Sequence, residues 1–416
     1  MSNELPILII GAGISGLAFA QGLLKSRIPF RIYERDPALN SRNQGYRFRV
    51  HGIGQEALAS LLTSELYTRL EACCAITPPG GFINGSSFDA LRDPSTGDIN
   101  GPSGTRRLRP ETVIGSAVEP WNVDRGMMRT VLASGLESYT EFGREFVNYT
   151  MTESGVSVKF KDGTEVEGRL LIGADGAHSR IRRQLIPDFA PLDTEARLVY
   201  GKTQLTPQFV ESFPKNCLRG PTLIQDRSRD LPLSLLLEPM RFKNNIYKDR
   251  GELPDDYVFW LLCFRRQRNE VPDDELLSLC SESAAKLSKK MTADWHPAYR
   301  ALFDTQDQTK ASTLRVFSAP PSIPQWPTTP RVTLIGDSAH VMSPDTGSGA
   351  TIALRDAVTL GQAIRDFEVS KEGIGRYETA MRVYAGETIS QRWVVGGRSG
   401  CGLLETGVEK KSGAKL

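Results

Sequence analysis

The apolar positions change period along the chain, and each change marks an element. Ile7 to Ile10 is a four-residue apolar run without alternation, the pattern of a strand buried on both faces of a parallel sheet. It feeds directly into Gly11-Ala12-Gly13-Ile14-Ser15-Gly16, after which Ile14, Leu17, Ala18, Gly22 and Leu24 line one helical face as far as Lys25. Pro29 marks the exit from that helix, and Phe30 to Tyr33 reads as a second strand ending at Glu34. Strand, glycine turn, helix, strand and acid make a βαβ unit.

Further along, Asn122 to Leu136 carries helical spacing at Met128, Val131, Leu132 and Leu136, with Asp124 as a cap. Val156, Val158 and Phe160 alternate, Asp162-Gly163 turns, and Val166 resumes, a hairpin leading into the apolar strand Leu170 to Ile172. From about Asp193 to Phe317 the texture changes. Leu231 to Leu237 and Tyr257 to Phe264 read as strands and Asp273 to Met291 as one amphipathic helix, the body of a second unit on an antiparallel sheet. A proline-dense linker from Pro320 to Pro330 then delivers the chain to one more buried strand, Val332 to Ile335, which returns to the first unit. The chain beyond this strand is helical over Ala350 to Asp366 and Arg376 to Ser390. Pro78 to Pro110, rich in Gly, Ser, Asn and Pro, reads as loops or short strands facing a ligand.

The pattern predicts an α/β protein with a doubly wound dinucleotide-binding domain, a smaller substrate domain on an antiparallel sheet, and C-terminal helices. Its expected boundaries are 1–75, 111–192 and 318–368 for the first domain, 76–110 and 193–317 for the second, and 369–416 for a helical segment and tail. A length of 416 residues accommodates this division.

Charge and cysteine usage narrow the function. With 51 Lys plus Arg against 49 Asp plus Glu, a formal charge of +2 argues against a chain that mainly neutralises phosphates, so no nucleic-acid partner is expected. No apolar run approaches the roughly 20 residues of a membrane helix, and no secretory signal is read at the N-terminus. Six cysteines without a C-x-x-C pair read as free thiols of a cytoplasmic chain, and adjacent Cys73 and Cys74 as buried thiols and not a disulfide. Four histidines without metal spacing set metal aside. The terminal Ala414-Lys415-Leu416, behind Lys410-Lys411, looks like a variant of the Ser-Lys-Leu peroxisomal address, and a frayed polar tail reads equally well there. Nothing in the pattern fixes an oligomeric state.

The chemistry begins at the glycines. A helix N-terminus offers unpaired N–H groups and partial positive charge, and Gly11, Gly13 and Gly16 let a diphosphate approach that backbone. Glu34 follows Gly11 by 23 residues, at a strand end where a carboxylate accepts both ribose hydroxyls of an adenosine. Arg35 stands beside it. This much does not separate NAD from FAD.

Two later segments do. Leu171-Ile172-Gly173-Ala174-Asp175-Gly176 and Leu334-Ile335-Gly336-Asp337-Ser338-Ala339-His340 each place an acid in a glycine turn after a strand. The second continues through Pro344 to Asp345-Thr346-Gly347-Ser348-Gly349-Ala350, which opens a helix. Joined to Asp124-Arg125-Gly126-Met127-Met128-Arg129, these segments resemble the single-component flavoprotein aromatic hydroxylases of the para-hydroxybenzoate hydroxylase type. The resemblance covers residues 5–183 and 331–357 well and the region between them loosely.

That resemblance implies FAD as cofactor, with NADPH or NADH as a transient electron donor bound without a domain of its own. It implies that Asp337 binds the ribityl chain, that Asp175 holds the geometry of both cofactor sites, that Arg125 reaches FAD, and that Arg49 binds the pyrophosphate. Arg49 and Arg125 also read as plain surface charges. It places Pro344 near the reactive edge of the flavin, and Gly347, Gly349 and Ala350 at a helix start whose dipole stabilises the anionic reduced ring. Thr351 departs from the family, which usually has asparagine there, and puts one contact to the ring in doubt. His178 and His340 read as structural. The implied reaction is hydride transfer to flavin N5, oxygen addition at C4a to give a hydroperoxide, and transfer of the distal oxygen to a substrate. Hydroxylation or epoxidation of a hydrophobic, aromatic or polyketide-like molecule of a biosynthetic pathway is the first expectation, and Baeyer–Villiger insertion runs on the same scaffold. An oxidase or reductase without oxygen transfer is the alternative, and a flavin-binding protein without turnover a third. No protein nucleophile is expected. Phe82, Phe88, Trp121, Trp260 and Phe264 are aromatic candidates for a substrate pocket, with core packing an equal reading of each.

Overall fold

A computed structural model describes residues 4–41, 46–76, 86–96, 119–228, 231–268, 271–344 and 347–396. Phe82, Asp345, Thr346, Cys401 and the Ala414-Lys415-Leu416 tail lie outside them.

The chain opens with β1 (Ile7–Ile10), α1 (Ile14–Lys25) and β2 (Phe30–Glu34), followed by β3 (Arg47–Val50), α2 (Gly52–Leu61) and α3 (Ser64–Ala72). Next come β4 (Ser86–Asp89), β5 (Trp121–Asp124), α4 (Arg125–Ala133) and β6 (Thr140–Phe142). A three-stranded meander, β7 (Phe146–Met151), β8 (Val156–Phe160) and β9 (Glu165–Gly168), contains the hairpin expected at Asp162-Gly163 and leads into β10 (Leu170–Gly173) and α5 (Arg180–Leu185). β11 (Leu192–Gln204), α6 (Pro207–Ser212), β12 (Thr222–Asp226), β13 (Leu233–Met240), α7 (Ile246–Asp249) and β14 (Tyr257–Arg265) come next. Then follow α8 (Asp273–Ser278), α9 (Ser281–Met291), α10 (Pro297–Asp304), β15 (Ser312–Ser318), β16 (Val332–Leu334), α11 (Asp337–His340), α12 (Gly349–Phe367) and α13 (Lys371–Gly396).

Two sheets organise these elements. The first runs β16-β10-β1-β2-β6 and is parallel throughout. Strands β1, β10 and β16 are buried along their whole length, as the unbroken apolar runs require when helices cover both faces. The second runs β15-β11-β14-β13-β12-β4 and is antiparallel except where β12 meets β4. A two-stranded ribbon, β3 with β5, lies between them: Ala75 beside it bridges both Asn122 and Phe242. The first core is filled by Ile7, Leu17, Phe19, Leu171 and Leu354, the second by Phe88, Trp260, Phe264 and Phe303.

Two expected helices differ. Asn122 and Val123 belong to β5, and the helix starts at Arg125 because Asp124 caps it, its Oδ1 accepting from the N–H groups of Gly126 and Met127. The single helix expected over Asp273 to Met291 is broken at Leu279 and Cys280, whose extended backbone lets Leu276 of α8 and Ala284 and Ala285 of α9 all reach the second core. Among the described residues no helix is long and apolar enough to cross a membrane.

Candidate functional site

Parallel strands put their carboxyl ends on one edge, and the strand order of the first sheet reverses between β1 and β10. Crevices at such switch points are where α/β sheets bind ligands. Here that edge gathers Gly11 after β1, Glu34 at the end of β2, Asp175 after β10 and Asp337 after β16. Three glycine–acid turns far apart in sequence thus become neighbours.

The first turn is built by close approach. Gly11 has φ 111°, and a Cβ there would lie 2.3 Å from the Ala174 carbonyl oxygen, while a Cβ on Gly16 would lie 2.1 Å from the Gly11 carbonyl oxygen. Gly13 is different, because a Cβ built on it meets nothing within 4 Å. Its face is open. It also caps α1 without a side-chain hydrogen bond, and no acid stands in the first turn, so the N-terminal N–H groups keep their partial positive charge. Buried Glu34 is held against this turn by the N–H of Ala12 to Oε2 (2.8 Å) and that of Asp36 to Oε1 (3.0 Å). A carboxylate oxygen accepts two hydrogen bonds, so acceptor capacity remains on each. Arg35 beside it is exposed.

Asp175 is largely engaged by protein. Its Oδ2 accepts from the N–H of Arg180 (2.8 Å) and its Oδ1 from the Ser338 hydroxyl (3.2 Å), which itself accepts from the N–H of Gly176 (2.8 Å). Asp175 therefore ties the turn after β10 to the turn after β16. Asp337 is the opposite case: its side chain opens on the crevice and accepts no hydrogen bond among the described residues. Protein walls around it raise its pKa by desolvation, against the lowering charges of His340, Arg125 and Arg182. Arg125 is near enough for its charge to act on Asp337, and its guanidinium stands 5.3 Å from the centre of the Tyr46 ring.

Behind Asp337 lies a buried polar knot. Asp356 of α12 accepts from the Gly336 N–H (2.7 Å) and the Tyr384 hydroxyl (2.6 Å), and its carboxylate lies 2.6 Å from His340 Nε2. The largest influence on His340 is burial, which lowers its pKa, but the charge and hydrogen bond of Asp356 together raise it. His178 by contrast is exposed, set edge-on to Phe317. Of the two histidines, His340 is the one built into the buried knot.

Gly347 (φ 59°), whose N–H reaches the carbonyl of exposed Pro344 (3.1 Å), leads into α12, which has no side-chain cap and no acid in its first turn. Thr351 is fully buried, and its hydroxyl accepts from the N–H of His51 (3.2 Å), tying the start of α12 to the end of β3.

Arg49 is not the surface charge that one reading allowed. It is buried and donates to Glu238 of β13 (2.8 Å), which also pairs with Arg47 and accepts from Asn122 (2.9 Å). Burial and the charge of Arg47 push its pKa down to about 9 against the pull of Glu238. Its guanidinium is thus engaged by the second sheet, a contact no local sequence pattern foretells. Four of the aromatic candidates are placed by packing: Phe88, Trp260 and Phe264 lie in the second core, and Trp121 tilts against Tyr67 at 5.3 Å. Arg129 was passed over. It is buried and donates to the carbonyls of Ala12 (3.1 Å) and Leu39 (2.7 Å), fastening α4 to the glycine turn. A charged residue beside Met128 on the apolar face of α4 was the available signal.

Known proteins share this architecture. A dual O-methyltransferase/FAD-dependent monooxygenase, elcB of Phaeosphaeria nodorum, is 39% identical over 401 residues, 89% of this chain. This chain spans 41% of that relative's length. The FAD-dependent monooxygenase phnB of Penicillium herquei is 27% identical and covered to 92%, against 93% of this chain. A crystal structure described as a putative FAD-containing monooxygenase from Photorhabdus luminescens superposes with a TM-score of 0.72 at 29% identity, covering 93% of this chain and 96% of that one. The FAD binding domain family matches residues 4–200 and 303–389, which include all three glycine–acid turns and the start of α12, and this chain belongs to that family.

Proposed function

We propose that this chain is an FAD-dependent monooxygenase that uses NAD(P)H and dioxygen on a hydrophobic, aromatic or polyketide-like small molecule. The observation that carries the reading is the crevice itself. An open glycine face, an uncapped helix N-terminus and an unpartnered carboxylate lie along one sheet edge, and together they fit a diphosphate and a polyhydroxyl chain. The monooxygenase names of the relatives supply the reaction class.

In this reading Gly13 and the N-terminus of α1 hold the diphosphate, with Gly11 and Gly16 shaping the turn. Glu34 accepts the adenosine ribose hydroxyls, and Arg35 flanks them. Asp337 accepts the ribityl hydroxyls, Arg125 supplies a nearby positive charge, and Asp175 holds two turns in register. Arg49, held by Glu238 of the second sheet, stays the candidate for the pyrophosphate that the resemblance implies. The N-terminus of α12, with Gly347, Gly349 and Ala350 beside Pro344, would offer the positive end of its dipole to negative charge on the ring of a bound flavin. When bound, FAD supplies the redox chemistry, taking a hydride from a nicotinamide and activating dioxygen for transfer. In the same reading residues 1–75, 111–192 and 318–368 make up the cofactor domain, and the second sheet, within 76–110 and 193–317, excludes water and receives the substrate. Hydroxylation of an aromatic ring installs the hydroxyl that an O-methyltransferase consumes, which agrees with the paired activities in the name of the Phaeosphaeria relative.

The test is incubation with NADPH or NADH, ¹⁸O-labelled dioxygen and a panel of aromatic polyketides. One ¹⁸O atom in the product supports the reading. Hydrogen peroxide without labelled product in any incubation would instead assign an oxidase.

A further inference from the structure

Asp124 sits where three structures meet: it ends β5, caps α4 and faces the second sheet. Its Oδ1 accepts from the N–H groups of Gly126 (2.8 Å) and Met127 (3.1 Å), and its Oδ2 from Lys202 Nζ (2.6 Å) and the Tyr257 hydroxyl (2.6 Å). A carboxylate has about four acceptor sites, and all are used. Lys202 and Tyr257 come from neighbouring strands: Lys202 pairs with Phe259, so Tyr257 lies diagonally on the same face, and Lys202 Nζ sits 4.3 Å from its ring centre. Asp124 and Tyr257 are buried, so the charge of Lys202 is compensated in a poorly screened place.

The other end of this linkage is the crevice. Directly after Asp124 comes Arg125, whose charge reaches Asp337. One turn later Arg129 donates to the Ala12 carbonyl within the glycine turn. Gln21 of α1 donates to the carbonyls of Leu132 (2.7 Å) and Ser134 (2.9 Å), closing the contact at the far end of α4.

We infer that Asp124 is a positioning residue through which Lys202 and Tyr257 of the second sheet set α4, and with it Arg125 and the glycine turn, for FAD. FAD affinity then depends on two residues that belong to another sheet and, among the described residues, make no hydrogen bond to the crevice turns. The inference rests on the FAD placement proposed above.

The experiment measures the FAD dissociation constant of refilled apoprotein by flavin fluorescence, alongside the thermal midpoint of each apoprotein. Lys202→Met and Tyr257→Phe each weaken FAD by about fivefold or more, the scale of one charge-assisted hydrogen bond. Asp124→Asn keeps a capping oxygen while removing the charge, so it weakens FAD similarly, and adding Lys202→Met to it produces little further change. Lys202→Arg restores most of the affinity. Trp260→Phe, which loosens the second core on the face of β14 opposite Tyr257, lowers the midpoint and leaves FAD affinity within about twofold. Unchanged affinity in Lys202→Met and Asp124→Asn overturns the inference, as does a loss in Trp260→Phe matching theirs. A wild-type protein that takes up no FAD overturns instead the reading beneath it.

Discussion

Gly13 and Gly16 are three residues apart in one motif, yet the structure assigns them opposite failures. A methyl group on Gly16 would lie 2.1 Å from the Gly11 carbonyl oxygen and 3.3 Å from the Ala174 side chain. The oxygen cannot retreat, because Gly11 is itself packed on the Ala174 carbonyl, so Gly16→Ala costs the apoprotein about 1–3 kcal/mol or more of overpacking. Gly13 has φ −78° and ψ −176°, extended backbone open to any residue, and free space where its Cβ would stand. Gly13→Val therefore leaves apoprotein stability within about 1 kcal/mol, a small gain from the stiffer unfolded chain offsetting a poorer cap. It fills the space that the diphosphate needs, and FAD affinity falls by about 100-fold or more, equivalent to about 2.7 kcal/mol. Thermal denaturation of both apoproteins and an FAD fluorescence titration decide the matter. A Gly13→Val protein that binds FAD within about tenfold of wild type, or a Gly16→Ala apoprotein as stable as wild type, refutes the reasoning.

Asp337→Ala removes an acceptor that no protein group uses among the described residues, so the apoprotein keeps its stability while FAD affinity drops by about tenfold, read by the same titration. The His340–Asp356 pair raises the folded-state pKa of His340 above its ordinary 6.5. Its stabilising contribution is thus complete below about pH 6.5 and is lost as pH rises through the raised value, so His340→Gln flattens that part of a thermal-midpoint profile from pH 6 to 9. Burial pushes the thiol of Cys73 up to about 11 and those of Cys74 and Cys217 upward too, whereas Cys280 is exposed and lowered by hydrogen bonds from Ser283. Iodoacetamide at pH 8 followed by peptide mapping labels Cys280 while these three stay unmodified until the protein unfolds.

What could be foreseen divides along a physical line. The βαβ unit, the meander hairpin and the strands at Leu233–Met240 and Tyr257–Arg265 were legible because each declares itself within ten or so residues, through period, glycine or a cap. Thirteen-residue β11 was not read as a strand, since charged residues at Glu195, Arg197 and Lys202 interrupt its alternation. Two of those charges are met by distant residues, Arg197 by Asp273 in addition to its local partner Asp193, and Lys202 by Asp124. The same limit applied to Arg49, whose partner Glu238 is 189 residues away. Acids in glycine turns could be picked out as a set, but only the parallel sheet shows that Asp175 is mostly occupied and Asp337 is free to accept. Local chemistry is written locally, and the pairing of distant charges is not.

The most direct test of the account is rapid mixing of the FAD-loaded, anaerobically reduced protein with oxygenated buffer, with and without aromatic ligands, following flavin absorbance. An oxygen-transferring enzyme shows a transient species distinct from both reduced and oxidised flavin before the oxidised spectrum returns, and that is the result expected here. Direct return to oxidised flavin with stoichiometric hydrogen peroxide, under every ligand tried, would contradict the account.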